Sequence, residues 1–310
     1  INSFSNLLYN HYMKKLLTLI LITLSLCSSV NSAFATEKKS FKFIKPKAEK
    51  GYVSSLYSVT KFFCEYEYAA NNYNHNTFLN LYTEDYLSAD GFNYNVMSRL
   101  VKDTWKTYPG IKYRVKVNSV NFYKNLAIAD VTETAKGYAK VENENVGEFV
   151  SSMQSIYYLK PNGNSWVITG DYTIKENIIL SWGDAKQAKI SLEVPNQLQA
   201  GQEYTATLSV AQPSGVISIG SITADKITYP QNPSKEIYRK FSSDGKLERI
   251  MKTNTENTNE YVVATVGFTR PKVDDNQNLD INLTGYACLM ERINVIPVNK
   301  FIEEKDVQTK

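Results

Sequence analysis

Apolar residues recur at Tyr52, Leu56, Val59, Phe63, Tyr66 and Ala70, the three-and-four spacing that lines one side of a helix, which predicts a long amphipathic helix over 52–73. A second, shorter helix is expected to start near Asn76 or Thr77 as its cap and to bury Phe78, Leu81 and Tyr82. After Gly91, the positions Met97, Leu100, Val101, Thr104, Trp105 and Tyr108 share one face, and Pro109-Gly110 stops the helix. The period then drops to two. Segments 113–123 and 126–138 alternate around a tight turn at Lys124-Asn125, and 148–160 and 165–175 flank the turn Pro161-Asn162-Gly163-Asn164. Three helices followed by two long hairpins is the expected order, with the polar run 141–147 joining the hairpins.

Beyond Trp182-Gly183-Asp184 the chain reads as short strands between frequent turns, at 188–194, 204–210, 216–219, 236–241, 247–252, 261–269 and 281–298, with Asp244-Gly245 an evident hairpin turn. Such spacing argues a β-sandwich. The division that follows is a first domain over 51–178, a packed linker over 179–187, a sandwich over 188–300 and a tail over 301–310. The linker holds Trp182 and continues the apolar Ile178-Ile179-Leu180, whereas a free tether would be polar and rich in glycine, serine or proline. Ile178, Leu180 and Trp182 are therefore expected to be buried at the join.

The front of the chain changes the setting. Met13 is followed by Lys14, Lys15, an apolar run over 16–26 and Ala33-Phe34-Ala35, the layout of a secretory signal peptide with cleavage after Ala35. The run is too short to span a bilayer, so the product is expected to be exported to the periplasm or beyond, with no integral membrane segment. Leu26 stands where a lipoprotein would need a small residue before Cys27, which argues against lipidation. Residues 1–12 are expected to be upstream reading frame, and 36–50 a solvated basic leader. Removing 1–35, which holds two lysines and no acid, lowers the formal charge from +4 to +2. So balanced a chain predicts neither nucleic-acid binding nor a polybasic membrane patch.

Three segments carry a family resemblance: the opening helix YVSSLYSVTKFFCEYEYA, the stretch FLNLYTEDYLS, and the closing hairpin YYLKPNGNSWVITGDYTI with a tryptophan after a glycine turn. Together they resemble the NTF2-like superfamily, including its SnoaL-like and ketosteroid-isomerase-like members. The resemblance implies an α+β cone, three helices on a curved antiparallel sheet, enclosing a pocket that different members use for catalysis, ligand binding or dimerisation through the sheet. The segment LEVPNQLQAGQEYTATLSV resembles an immunoglobulin-like bacterial extracellular module, which implies an all-β sandwich acting as spacer or adhesive face.

Candidate chemistry is sparse. His75 is the only histidine after residue 35, and no HExxH, CxxC pair, GxSxG, P-loop or dinucleotide glycine motif occurs, so no metal and no cofactor are expected. His75 itself reads as an exposed loop residue. Cys64 and Cys288 are the thiols of the mature chain, either a disulfide or two small hydrophobes. Asp130 and Asp171 lie within apolar or threonine-rich strands and are the candidate bases for proton abstraction beside a carbonyl, with Tyr113 and Tyr158 as donors if these strands turn them inward. Phe63 and Tyr66 either line a ligand pocket or pack the helix onto the sheet. The leading expectation is non-catalytic binding of a small apolar ligand or an envelope protein. An isomerase-like enzyme using the two aspartates, or a structural envelope protein pairing through its sheet, are the alternatives.

Overall fold

The computed structural model describes residues 55–140, 146–211, 214–231, 235–273, 279–280 and 282–298. The expected signal peptide, basic leader and tail lie outside these residues. Helix α1 (Leu56–Asn71) opens with a capping box in which Ser55 and Ser58 exchange side-chain and backbone hydrogen bonds, satisfying donors that a helix start leaves open. It buries Val59, Phe62, Phe63, Tyr66, Ala69 and Ala70. Helix α2 (His75–Leu79), capped by Asn74, lasts a little over one turn. Strand β1 (Tyr82–Ser88) follows, so Leu81 and Tyr82, expected on the buried side of the second helix, lie beyond its end, and Tyr82 opens the strand. Helix α3 (Tyr94–Thr107) buries Met97, Leu100, Val101 and Thr104 as its periodicity predicts.

Four long strands come next: β2 (Lys112–Tyr123), β3 (Leu126–Lys140), β4 (Val146–Asn162) and β5 (Ser165–Gly183). A 3-10 turn (Asp184–Lys186) leads to β6 (Lys189–Glu193), β7 (Gln197–Gln199), β8 (Glu203–Ala211), β9 (Ile217–Lys226), β10 (Arg239–Lys240), β11 (Lys246–Lys252), β12 (Glu260–Thr269), the short pair β13 (Lys272–Val273) and β14 (Leu279–Asp280), and β15 (Leu283–Ile296).

The pairing overturns the expected α+β cone with a separate all-β immunoglobulin-like sandwich. Strand dominates, and one ten-stranded, largely antiparallel sheet runs through both halves in the order β10-β9-β12-β15-β5-β4-β3-β2, with β1 and β7 alongside β5 and β15. The junction is β5. Its early residues pair with β1 and β4, and its late residues Asn177–Gly183 pair with β15. Residues 179–183, expected in a linker, are therefore strand. Ile178 and Leu180 are buried, and Trp182 is half-buried against the same core.

The shared sheet has a physical basis in β12, whose residues from Glu260 to Phe268 are all buried. Tyr261 and Val263 pack into the core under α1 and α3, together with Tyr286, Cys288 and Met290 of β15. Val262, Ala264, Val266 and Phe268 face the other way, onto a second core closed by the three-stranded sheet β11-β8-β6. A strand covered on both faces is rich in apolar residues on both sides, so apart from Glu260 and Thr265 the buried part of β12 shows no polar alternation. Cys64 is exposed and Cys288 buried, and both are free thiols.

Candidate functional site

Two irregularities in β5 decide what faces the first core. Opposite β4, Tyr158 pairs with Gly170 and Leu159 with Ile168, so Thr169 is an extra residue; further on, Gln154 pairs with Lys175 and Ser155 with Thr173, so Ile174 is another. Each bulge reverses the side-chain phase. Asp171 and Glu176 thereby join Ile168, Thr173 and Ile178 as buried side chains of this strand. Gly170 is required beside the first bulge, because a Cβ there would lie 2.6 Å from the carbonyl oxygen of Leu87 in β1.

The inward acids meet tyrosines. Glu133 of β3 accepts from the hydroxyls of Tyr157 and, at 3.5 Å, Tyr66; the Tyr82 hydroxyl donates to that of Tyr66 at 3.2 Å. Asp171 accepts from the hydroxyl of Tyr86. Burial pushes Glu133 up to about 8, against the partial relief of the Tyr157 hydrogen bond, with Asp171 and Glu176 adding repulsion. Burial likewise raises Asp171 to about 6, although the Tyr86 hydrogen bond and Arg292 favour its ionised form. Tyr86 and Tyr157 are pushed well above the ordinary phenol range by burial and by the acids beside them.

A second set of polar groups lies where β1 ends and β15 draws alongside β5. Arg292 grips Asp90 through two nitrogens at 2.6 and 2.9 Å and reaches Asn294 at 2.8 Å through its Nε. Asn259 donates to Asp90 at 2.8 Å, and Tyr261 donates to Glu176 at 2.5 Å. The guanidinium is buried and so is the carboxylate it holds. Burial would lower Arg292, but Asp90 outweighs it and holds the guanidinium firmly charged.

The sequence-predicted residues divide. Asp171 is inward beside a tyrosine, though the tyrosine is Tyr86 and its strand neighbour Thr169 falls on the opposite side. Asp130 is on the other face, where Asn118 and Gln154 donate to it at 2.9 and 3.0 Å. Tyr113 is buried but takes a hydrogen bond from Trp105 at 3.1 Å and reaches neither aspartate; Tyr158 is exposed. Phe63 and Tyr66 are core, with Phe63 packed on Tyr157 at 5.4 Å and Tyr66 on Phe78 at 5.0 Å between ring centroids. His75 opens α2 with its Nε2 3.0 Å from the carbonyl oxygen of Ser98. Sequence reasoning missed Glu133, Tyr86 and Tyr157. The signal for Glu133 was present, since alternation places it with Ala129, Val131 and Ala135, all buried.

Outside this core, a surface cleft of about 520 Å³ is lined by Asn80, Tyr82, Asp85, Lys160, Asn162 and Val167, among others. Tyr82 thus joins the cleft wall to Glu133 through Tyr66. Among the described residues no group of three or more His, Cys, Asp or Glu side chains could hold a metal ion, and no helix is long and apolar enough to cross a membrane.

No protein-family model matches the chain, and no characterised protein matches it in sequence. Solved structures of NTF2-like type are similar to it over 38% of its length. One, from Novosphingobium aromaticivorans and described as a putative scytalone dehydratase, is 10% identical with a TM-score of 0.34 over 80% of its own chain. Another, a protein with a cystatin-like fold from Nostoc punctiforme, is 10% identical with a TM-score of 0.30 over 87% of its chain. A hexachlorocyclohexane dehydrochlorinase (LinA) type 2 is 8% identical with a TM-score of 0.31 over 82% of its chain.

Proposed function

We propose that the protein is exported and acts as a non-catalytic binding protein, whose first core is a rigid frame and whose contacts are made on its outer surface. One observation supports this above others: each inward carboxylate is already engaged by a hydroxyl or guanidinium of its own chain, and rings surround it. Tyr66, Tyr82, Tyr86, Phe78 and Tyr157 are buried and pack at tilted or edge-to-face angles, occupying the space that an apolar ligand would need. A panel of hydrophobic ligands is expected to leave the melting temperature unchanged. A saturable shift that disappears when Phe63 or Tyr157 is substituted would place a ligand inside and overturn this reading.

A second reading, an isomerase-like enzyme, is favoured by the pairs Asp171–Tyr86 and Glu133–Tyr157 and by the hydroxyl chain from the cleft to Glu133. An acid held near neutrality beside a phenol donor is the arrangement that proton abstraction next to a carbonyl needs. Exchange of α-protons of cyclic ketones in D2O, followed by NMR, decides between the two. Exchange lost in Asp171→Asn or Glu133→Gln and retained in Asp130→Asn would establish the enzyme.

A further inference from the structure

The charges of this nearly balanced chain are not spread evenly over the fold. On β2, Lys112, Arg114 and Lys116 alternate with Tyr113, Val115 and Val117; the apolar set packs on the first core, and the three cations stand exposed on the opposite face of the sheet. Strand register adds two more. Lys136 of β3 lies directly opposite Lys112, and the row Lys116, Thr132, Gln154 and Lys175 crosses β2, β3, β4 and β5. Both added lysines are exposed on that same face. Strands about 4.8 Å apart, with same-face residues about 6.8 Å apart along each, confine the five cations to a patch roughly 15 Å on a side.

The floor between them is polar and uncharged, with Thr132, Ser152, Gln154 and Asn177 on the rows that join the cations. Acids stay at the margin. Asp130 lies one row away and is held by Asn118 and Gln154, Glu148 lies one row beyond Lys136, and Glu291 borders the patch from β15, where it accepts from Asn177. Lys112 turns toward the Tyr73 ring at 5.6 Å, whereas Lys116, Lys136 and Lys175 form no ion pair among the described residues. Like charges set directly opposite, as Lys136 is to Lys112, weaken a sheet, and an external anion offsets that cost.

Complementarity defines the occupant. Cations spread over a flat face match a polymer that carries negative charge on successive repeats rather than one small anion, and the hydroxyls and amides between them match sugar hydroxyls. No aromatic side chain of these strands stands among the cations for a base to stack on, and no exposed apolar cluster is there to enter a bilayer. We infer that this face binds an anionic polysaccharide, with Arg114, Lys116, Lys136 and Lys175 meeting its acidic groups. The inference rests on the reading that contacts are made on the outer surface and names the class of partner met there.

The test presents the purified full chain with alginate, a polyuronate, and with neutral dextran. Alginate is expected to bind at about 50 mM salt and dextran not, and raising the salt to about 200 mM should weaken the alginate complex about tenfold. Lys116→Gln/Lys136→Gln/Lys175→Gln is expected to lose about tenfold in affinity, with a melting temperature unchanged or raised because like-charge repulsion is removed. A second readout needs no variant: lysine acetylation of the wild type, read by mass spectrometry, should be suppressed by alginate at Lys116, Lys136 and Lys175. Failure of alginate to bind, equal binding by the folded triple variant, or protection confined to other lysines would each overturn the inference. So would tighter binding of single-stranded DNA, which would assign the face to nucleic acid. These outcomes leave the outer-surface reading standing, since that reading fails instead when an apolar ligand shifts melting through the first core.

Discussion

Asn294 donates its side-chain amide to the backbone carbonyl of Ile174 at 2.7 Å, across the stretch of β5 where β1 has ended and β15 has not begun its ladder. Ile174 is a bulged residue, so no strand partner is in register to receive its carbonyl, and a side chain substitutes for the missing backbone. A buried carbonyl left open costs roughly 1–3 kcal/mol. Asn294→Ala should lower stability by about that amount, and Asn294→Asp, which replaces the donor with an acceptor, by more. Urea denaturation of the two variants checks the order.

Arg292 and Asp90 form a buried ion pair between the halves, and removing one partner strands the other. Arg292→Met is expected to cost about 3–5 kcal/mol, whereas the double variant Arg292→Met/Asp90→Leu should recover much of that loss. Equal destabilisation in single and double variants would show that the pair is not energetically coupled.

The inward acids set a direction for pH. Glu133 and Asp171 have folded-state values raised to about 8 and about 6, above their ordinary 4.5 and 3.8, so the native state holds protons that the unfolded chain gives up. Their contribution is fully present below the ordinary values and is lost as pH rises through about 6 and then about 8. The melting temperature should therefore be higher at pH 5 than at pH 8. Glu133→Gln should flatten the upper part of this decline, which a melting series between the two pH values would reveal.

Gly183 ends β5 with φ +59°, and a Cβ there would collide with the carbonyl oxygen of Thr284. Gly183→Ala combines an unfavourable backbone region with a collision against backbone that cannot yield. It should cost more than about 3 kcal/mol or block folding, whereas Gly163→Ala, at a turn with φ +58° and open space around it, should cost about 1. Expression and thermal melts of both distinguish steric collision from conformational strain alone.

Much of the local structure was legible. The apolar stripes through Leu56 and Val59 and through Met97 and Leu100 announce α1 and α3, though not their caps Ser55 and Asn93, and Lys124-Asn125 marks the β2–β3 turn. Partnership between distant strands was not. Tyr82 reads as part of the second helix because the parallel pairing of Tyr82–Ser88 with β5 leaves no local trace. Alternation correctly grouped Asp130 with Ile128 and Thr132, but it carried Asp171 with Thr169 through a bulge that no spacing rule reveals. Ile178-Ile179-Leu180 was visible as a buried segment, yet only the ladder with β15 shows it to be the middle of one sheet.

That ladder sets an order of events during synthesis. Asn177 meets Glu291, a residue made 114 positions later. Until then Ile178 and Leu180 border an unfilled sheet edge, and unfilled edges recruit other chains. A chain cut short before β15 should therefore be recovered as aggregate rather than as a smaller folded protein.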